Sequence, residues 1–231
     1  MFNEELERYA EDHTTPELPV LAKLNRETHL TQMYPRMLAG HLQGAFLSMI
    51  SQMIKPERIL EIGTFTGYST ICLAAGLAGP SLPAIYPTPD PSPKREGSSG
   101  VIHTIEVDPE LEGMAIRYFQ EAGIEDLVIL HIGNAMEIIP ALKEQWDLVY
   151  IDADKPNYLN YYKMVFENVR PGGYIIADNV LWGGKVLESK PRNKETLGII
   201  EFNEFVHRDE RVENVVLPVR DGIMVVRKLP S

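Results

Sequence analysis

The feature that most constrains the fold of this chain is a rhythm of short apolar runs and longer amphipathic stretches that begins at Arg58. Short apolar runs predict strands buried on both faces, and the amphipathic stretches predict helices that cover them. Their alternation favours βα units and a parallel sheet. The predicted strands are Ile59–Ile62, Val101–Val107, Leu127–Ile132, Leu148–Ile151 and Tyr174–Ala177, and the predicted helices are Tyr68–Leu77, Pro109–Glu121, Ala135–Leu142, Tyr158–Val169 and Glu195–His207.

Two segments flank this alternation. Residues 1–55 carry apolar side chains near helical spacing, which predicts a helical cap beside the sheet. At the other end, Val212–Val219 and Ile223–Lys228 predict two closing antiparallel strands, with Asp221-Gly222 as a tight-turn signal. Because 231 residues can bury one substantial core, we expect residues 1–231 to form a single α/β domain.

Residues 82–100 interrupt the alternation of predicted strands and helices. This segment contains five prolines followed by Gly97-Ser98-Ser99-Gly100, and such a composition sustains neither a helix nor a central strand. Loops of this length are usually functional or mobile. The segment is therefore predicted to be a surface insertion, with a lid over a binding site as the alternative.

The charge and cysteine content narrow the classes of function. A formal charge of −11 argues against nucleic acid as a partner, since phosphate binding draws on clustered Lys and Arg. A small neutral, cationic or metal-bridged ligand fits better. The lone cysteine, Cys72, is expected to be a buried helix residue. No apolar run reaches the ~20 residues that span a bilayer and no leader opens the chain, so we expect a cytoplasmic location and no membrane.

A glycine turn follows the first predicted strand, where Gly63-x-x-x-Gly67 precedes a helix. Such a turn lets a nucleoside-type cofactor approach the backbone and the free N–H groups of a helix start; the alternative is an ordinary turn. The spacing is neither that of the dinucleotide motif nor that of a phosphate-binding loop. Glu106 ends the second strand, where a carboxylate accepts from ribose hydroxyls, and Glu61 is a candidate acceptor for a cofactor ammonium or an ordinary solvated acid.

Polar residues stand at the ends of two later strands. Asp152 and Lys155 follow one strand, and Asp178 and Asn179 follow the next. Carboxyl ends of parallel strands are where open α/β sheets bind ligands, and hard oxygen donors suit Mg²⁺ best, with Mn²⁺ or Ca²⁺ as alternatives and zinc disfavoured. Each acid taken alone is as consistent with a helix N-cap, and Asp154 remains either such a cap or an outer support of the site.

Lys155 is the candidate general base. A nearby divalent cation disfavours a second positive charge and so favours the neutral amine, which accepts a hydroxyl proton. The alternative is a surface lysine at a helix start.

Three motifs together resemble the cation-dependent class I O-methyltransferases that use S-adenosylmethionine (SAM), a family that includes the caffeoyl-CoA and catechol O-methyltransferases. The motifs are Glu61-Ile62-Gly63-Thr64-Phe65-Thr66-Gly67-Tyr68-Ser69, Asp152-Ala153-Asp154-Lys155-x-Asn157-Tyr158 and Asp178-Asn179-Val180-Leu181-Trp182-x-Gly184. The resemblance extends from about Met37 to the C-terminus. It implies a Rossmann-like fold with a seven-stranded, mostly parallel sheet and a homodimer.

The resemblance also implies a site. Cofactor contacts would come from Met37, Ala39, Glu61, Gly63, Thr64, Gly67, Tyr68, Ser69, Glu106, Val107, Asn134, Ala135 and Asp152. Asp152, Asp178 and Asn179 would hold the metal, and Lys155 and Asp152 would be catalytic. The substrate would contact Lys155, Tyr158, Asn179 and Trp182, although aromatic residues near a sheet edge are as often plain core.

The implied reaction is methyl transfer from SAM to one hydroxyl of a catechol. Residues 82–100 are not part of the family pattern, and no segment that contacts an acyl-CoA is recognisable. Free catechols, such as dihydroxybenzoate or caffeate, therefore fit better than caffeoyl-CoA. Two alternatives stay open: an NAD-linked oxidoreductase, which the glycine spacing opposes, and a catalytically silent SAM-binding or regulatory protein, which the concentration of acids in one cleft opposes.

Overall fold

Strands and helices alternate along the computed structural model, which describes residues 4–77 and 100–230. The strands are β1 (Arg58–Ile62), β2 (Val101–Glu106), β3 (Val128–Ile132), β4 (Trp146–Ile151), β5 (Val169–Asp178), β6 (Val212–Leu217) and β7 (Ile223–Lys228). The α-helices are α1 (Glu4–Asp12), α2 (Pro19–Thr31), α3 (Gly40–Ile54), α4 (Tyr68–Ala74), α5 (Glu112–Glu121), α6 (Ala135–Ile138), α7 (Tyr158–Phe166) and α8 (Lys194–Arg208). Six short 3₁₀ turns join them: Pro35–Met37, Pro109–Leu111, Glu125–Leu127, Ile139–Ala141, Lys155–Asn157 and Trp182–Leu187.

The strands form one seven-stranded sheet in the order β3-β2-β1-β4-β5-β7-β6. β1 to β5 are parallel, and β7 runs antiparallel to both of its neighbours. The predicted α/β fold, with a mostly parallel sheet and an antiparallel hairpin at its C-terminal end, is confirmed. The sheet order places β1, β4 and β5 next to one another in the middle, so their carboxyl ends meet at one edge.

Helices cover both faces of the sheet, which explains why the central strands are apolar on both sides. On β4, Val149 and Ile151 belong to one buried cluster, which includes residues of α7 and α8, whereas Leu148 and Tyr150 belong to a second cluster on the α2, α3 and α4 side. Two of the helices before β1, α2 and α3, therefore pack against the sheet where the helical cap was predicted, and α1 contacts α3.

Several predicted boundaries were wrong. β5 begins at Val169 instead of Tyr174 and carries Gly172 and Gly173 within it. β6 ends at Leu217 instead of Val219, so the loop of the predicted hairpin has five residues, 218–222. Arg220 and Gly222 adopt positive φ in that loop.

The predicted insertion, residues 82–100, lies outside the described residues except for Gly100. Cys72 is a buried residue of α4, as predicted. None of the helices within residues 4–77 and 100–230 has the length and apolar character that crossing a membrane requires.

Candidate functional site

The candidate site lies where β4 and β5 end side by side. Ile151 pairs with Ala177 in the parallel register, so the residues that follow, Asp152 and Asp178, emerge next to each other. The backbone N–H of Asp152 donates to Ile62 O at 2.9 Å, which extends the pairing of β4 with β1 by one residue. The fold therefore brings the two predicted acids together at the carboxyl edge of the sheet.

Lys155 turns back toward Asp152 from the 3₁₀ turn that follows β4. Its Nζ lies 3.0 Å from Asp152 Oδ1 and 2.6 Å from the Tyr158 hydroxyl, and only 7% of the residue is exposed. α8 packs closely over this turn, since a Cβ added to Gly198 would lie 2.6 Å from Lys155 O. Lys155 is thus a buried, paired cation instead of a surface lysine.

Tyr158 does not present its ring to an open surface, contrary to the predicted substrate contact. It is fully buried, and its hydroxyl donates to Asp178 O at 3.0 Å while it accepts from Lys155 Nζ. Its ring stacks edge-on against Phe202 of α8. The residue belongs to the support beneath the site, and it connects the lysine of one strand end to the backbone of the other.

The carboxylate of Asp178 is held on both oxygens. Oδ1 accepts from Asn179 N at 2.7 Å, and Oδ2 accepts from Gln43 Nε2 at 2.6 Å and from the Tyr150 hydroxyl at 3.4 Å. Burial, together with the nearby charge of Asp152, raises the pKa of Asp178 to about 7. Asn179 takes a positive φ of 55°, so the chain turns sharply at the predicted amide ligand.

The glycine turn lies against the same strand end. Gly63 has a φ of 104°, and a Cβ there would lie 1.9 Å from Asp152 O. No side chain fits between these two backbones. Gly63 N and Thr64 N both donate to Ile105 O, which ties the turn to β2. The close approach explains why a glycine is needed at this position.

Glu61 on β1 is fully buried among hydroxyl groups. Its Oε2 accepts from Thr70 at 2.5 Å and from Thr104 at 2.6 Å, and Thr104 also lies 2.5 Å from the Thr64 hydroxyl. Oε1 has no hydrogen-bond partner in the part of the chain that the structure describes. Burial raises the pKa of Glu61 to about 7, with the hydroxyls of Ser69, Thr104 and Thr70 partly opposing it. Glu61 is therefore not an ordinary solvated acid.

Glu106 sits at the end of β2 on the other side of the turn. Its Oε2 accepts from Phe65 N at 2.6 Å and its Oε1 accepts from Asp108 N at 2.9 Å. Burial raises the pKa of this carboxyl above its ordinary value. Val107 beside it is 71% exposed, so this end of the cleft is open.

The other predicted site residues are more scattered. Asn134 caps α6 by accepting from Met136 N at 3.0 Å, beside the buried Ala135. Tyr68 is buried, its hydroxyl donates to Glu17, and its ring lies against Gly44 of α3. Of three further residues predicted to contact the cofactor, Met37 is 60% exposed, Ala39 is buried just before α3, and Ser69 is buried in α4.

Trp182 and Asp154 border the lysine. The Trp182 ring centroid lies 5.8 Å from Lys155 Nζ, and its indole Nε1 is buried without a partner among the described residues. Asp154 accepts from the Tyr161 hydroxyl and from Asn157 Nδ2. Its carboxylate thus faces α7, and its side chain makes no capping hydrogen bond to the 3₁₀ turn that follows it.

Sequence reasoning missed the polar residues that support Asp178 and Glu61. Gln43, Tyr150 and Arg220 come from three elements on the α3 side of the sheet, and Thr70 and Thr104 surround Glu61. A buried glutamine in the apolar run of α3 was a detectable signal, since polar residues inside a core need partners. The partner itself could not be read from the sequence.

Comparison with known proteins gives consistent matches. A family model described as O-methyltransferase matches residues 11–82 and 95–229. A catechol O-methyltransferase of Niastella koreensis is 34% identical over 179 residues, which are 76% of this chain and 72% of that protein. Caffeoyl-CoA O-methyltransferase 1 of Eucalyptus globulus is 32% identical over 225 residues, 93% of this chain and 84% of that protein. The solved structure of the O-methyltransferase TomG from Streptomyces achromogenes, involved in tomaymycin synthesis and in complex with SAM, has a TM-score of 0.84 at 27% identity and covers 100% of both chains.

Proposed function

We propose a reaction for this chain, which belongs to the O-methyltransferase family. It transfers the methyl group of SAM to one hydroxyl of a catechol-type small molecule, and a divalent cation binds beside the acceptor. The observation that carries the proposal is the convergence of Asp152, Lys155, Asp178 and Asn179 at the ends of β4 and β5. A dihydroxybenzoate or a caffeate-like compound is the acceptor that we propose.

The cleft beside Gly63 fits SAM. The unpartnered Oε1 of Glu61 is a buried acceptor that a ligand ammonium would satisfy, and buried polar groups without partners are rare in folded proteins. Glu106 at the next strand end would accept from ribose hydroxyls, as acidic residues do in other nucleoside-binding α/β folds. When bound, SAM supplies an electrophilic methyl group on a sulfonium. The TomG structure in complex with SAM supports this choice of methyl donor.

The residues at the two strand ends also fit a divalent cation. Among the described residues, no group of three His, Cys, Asp or Glu side chains could hold a metal ion. The ligand set that we propose has instead two carboxylates and one amide oxygen, those of Asp152, Asp178 and Asn179. These hard donors suit Mg²⁺, with Mn²⁺ or Ca²⁺ as alternatives. The raised pKa of Asp178 indicates more negative charge than the buried site tolerates, and a cation would offset it. When bound, the cation supplies stabilisation of a developing oxyanion.

Lys155 would remove the proton of the acceptor hydroxyl. Its Nζ is fixed by Asp152 and Tyr158 at 3.0 and 2.6 Å, and in its neutral form it accepts a proton within hydrogen-bond reach. The half-buried Trp182, whose ring lies 5.8 Å from Lys155 Nζ, would flank the aromatic ring of the acceptor. The chain's contribution to the rate is mainly the positioning of the two reactants, which needs no covalent enzyme intermediate.

The test is methyl transfer from labelled SAM to protocatechuate, a dihydroxybenzoate, with Mg²⁺ and then with excess EDTA. We expect turnover with Mg²⁺ that EDTA abolishes. Asp178→Asn keeps the size of the side chain and removes its charge, and we expect kcat/KM to fall more than about 100-fold. Asp154→Asn is the matched control, because it removes the neighbouring acid that faces α7, and it should retain wild-type turnover.

Each outcome separates the hypotheses. Transfer that is insensitive to EDTA would reject the cation and keep the methyltransferase. Binding of S-adenosylhomocysteine without transfer to protocatechuate or other catechols would reject the catechol acceptor and favour a silent cofactor-binding protein. Equal losses in the two Asp→Asn variants would indicate that general destabilisation is responsible.

A further inference from the structure

A chain of hydrogen bonds leads from the loop between β6 and β7 to Asp178. Gln43, in the first turn of α3, is 1% exposed, and its side-chain amide lies between Arg220 and Asp178. Gln43 Oε1 is 3.2 Å from Arg220 Nη1. Gln43 Nε2 is 2.6 Å from Asp178 Oδ2 and 2.9 Å from the Tyr150 hydroxyl. A single buried amide thus connects a loop arginine to an acid of the candidate cation site.

The chemistry of Arg220 determines which way this amide points. A guanidinium only donates hydrogen bonds, so the atom of Gln43 that faces it must be the carbonyl oxygen. The N–H₂ group of Gln43 must then face Asp178. The ionised Asp178 carboxylate, which only accepts hydrogen bonds, favours the same orientation from the other side. Arg220 and Asp178 therefore fix the amide together, and removal of the arginine leaves the buried carbonyl oxygen of Gln43 without this donor.

Arg220 is held in an uncommon backbone conformation. Its φ is 50°, a region that residues with a Cβ rarely adopt and that persists only where the surroundings impose it. The contacts that hold this conformation come from the Arg220 side chain. Its Nη1 also donates to Leu38 O at 3.3 Å and lies over Gly40 at the start of α3. The strained backbone and the side-chain contacts belong to the same residue. The contacts therefore hold Arg220 in a fixed position, which a positioning role requires.

The hydrogen bond from the Gln43 amide also determines which acceptor positions of the Asp178 carboxylate stay free. Each carboxylate oxygen accepts about two hydrogen bonds. Gln43 and Tyr150 occupy Oδ2, whereas Oδ1 accepts only from Asn179 N among the described residues. Oδ1 therefore keeps one position for a ligand.

We propose that Arg220 and Gln43 act as a positioning relay that orients the Asp178 carboxylate for cation binding. The relay rests on the proposed metal-assisted function, and neither residue touches the reacting atoms. It makes the loop after β6 part of the support of the site, although that loop is remote from it in sequence.

The test measures Mn²⁺ binding by electron paramagnetic resonance titration of the full-length protein, alongside thermal unfolding without metal and the kcat and KM of methyl transfer. Gln43→Leu removes the amide, and we expect Mn²⁺ affinity to fall roughly 10- to 100-fold, the range found when supporting partners of metal ligands are removed. Arg220→Gly should give a smaller loss in the same direction. Its thermal stability should change little, because glycine adopts positive φ without strain, and this gain offsets the loss of the hydrogen bonds that Arg220 donates.

Two further variants distinguish the relay from the effects of charge and backbone strain alone. Lys55→Gly is the matched control, since Lys55 has a φ of 52° at the end of α3, and its replacement removes the same strain and charge at an exposed site; Mn²⁺ affinity should be unchanged. Arg220→Lys keeps a group that only donates and should retain most of the affinity. Simple removal of a positive charge near a cation site would strengthen binding, so weaker binding in Arg220→Gly is specific to the relay.

The outcomes also distinguish the relay from the function on which it rests. If wild type binds Mn²⁺ and transfers methyl groups while Gln43→Leu and Arg220→Gly bind Mn²⁺ within about twofold of it, the relay is wrong and the function stands. Tighter Mn²⁺ binding in Arg220→Gly than in the wild type would likewise show that the relay is wrong, and it would leave the proposed function intact. If wild type binds no Mn²⁺, the cation proposal and the relay fall together.

Discussion

Glu61 offers the sharpest test of the electrostatics of the cleft. It is fully buried on β1, and burial raises its pKa from 4.5 to about 7. The perturbation is Glu61→Gln, which keeps the shape of the side chain and removes its ionisation. We expect the variant to lose much of the pH dependence of stability that the wild type shows without ligands.

The sign follows from the direction of the pKa shift. Below pH 4.5, Glu61 is protonated in both the folded and the unfolded chain and contributes no pH dependence. As the pH rises toward about 7, the unfolded chain ionises while the folded chain stays protonated, so the free energy of unfolding falls. Above that value both states are ionised and the loss levels off. At about 1.4 kcal/mol per pKa unit, the full loss is about 3 kcal/mol.

The assay is urea unfolding of the ligand-free protein at pH 5 and pH 8, followed by circular dichroism. Between these two pH values the wild type should lose about 2 to 3 kcal/mol relative to Glu61→Gln. Burial also raises the pKa of Asp178 to about 7, but that contribution is common to both proteins and cancels in the comparison. Glu110→Gln removes one charge at an exposed position and should follow the wild type.

A second arm adds S-adenosylhomocysteine, which carries the amino group that we assign to Glu61 Oε1. At pH 8 the ligand should raise the midpoint of thermal unfolding more in the wild type than in Glu61→Gln. If the difference in free energy of unfolding between the two proteins stays constant within about 0.5 kcal/mol from pH 5 to pH 8, the buried-acid reasoning is refuted. If that difference changes as expected but the ligand stabilises both proteins equally, only the assignment of the ammonium is wrong.

Two further predictions concern the neighbours of Asp152. Tyr158→Phe removes the hydroxyl that fixes Lys155, so kcat of methyl transfer should fall on the order of 10- to 100-fold, whereas Tyr162→Phe, at another buried tyrosine of α7, should retain the wild-type kcat. Gly63→Ala places a Cβ 1.9 Å from the Asp152 carbonyl oxygen, and urea unfolding should show a loss above about 3 kcal/mol; a variant as stable as the wild type would contradict this close approach.

The sequence was most informative where local patterns determine structure. The apolar runs located the central strands, and the acids after Ile151 and Ala177 located the edge where they meet. It was least informative where tertiary contacts decide. β5 starts five residues earlier than its apolar run because pairing with β4 at Val169 extends it past two glycines, and glycines lower the strand propensity of that stretch.

The roles of aromatic and polar side chains were harder to predict for the same reason. Tyr158 lies next to Lys155 in the motif, but only packing against α8 shows that its ring is buried and its hydroxyl holds the lysine. Gln43 and Arg220 are 177 positions apart, and no local pattern relates two such residues. Asp221-Gly222 predicted the hairpin correctly, yet the positive φ of Arg220 depends on contacts with α3 that a turn signal does not contain.

Asp152 links the two halves of the proposed site. Burial is the main cause of the raised pKa of Glu61 on the cofactor side and of Asp178 on the cation side, and the charge of Asp152 adds to both. The backbone carbonyl of Asp152 also lies against the glycine turn at Gly63. A cation that offsets the charge of Asp152 would therefore favour ionised Glu61, which is the form that binds an ammonium. Because coupling between two ligands is reciprocal, the methyl donor would strengthen cation binding by the same factor. Under the proposed function, the two ligands should bind with positive cooperativity near neutral pH.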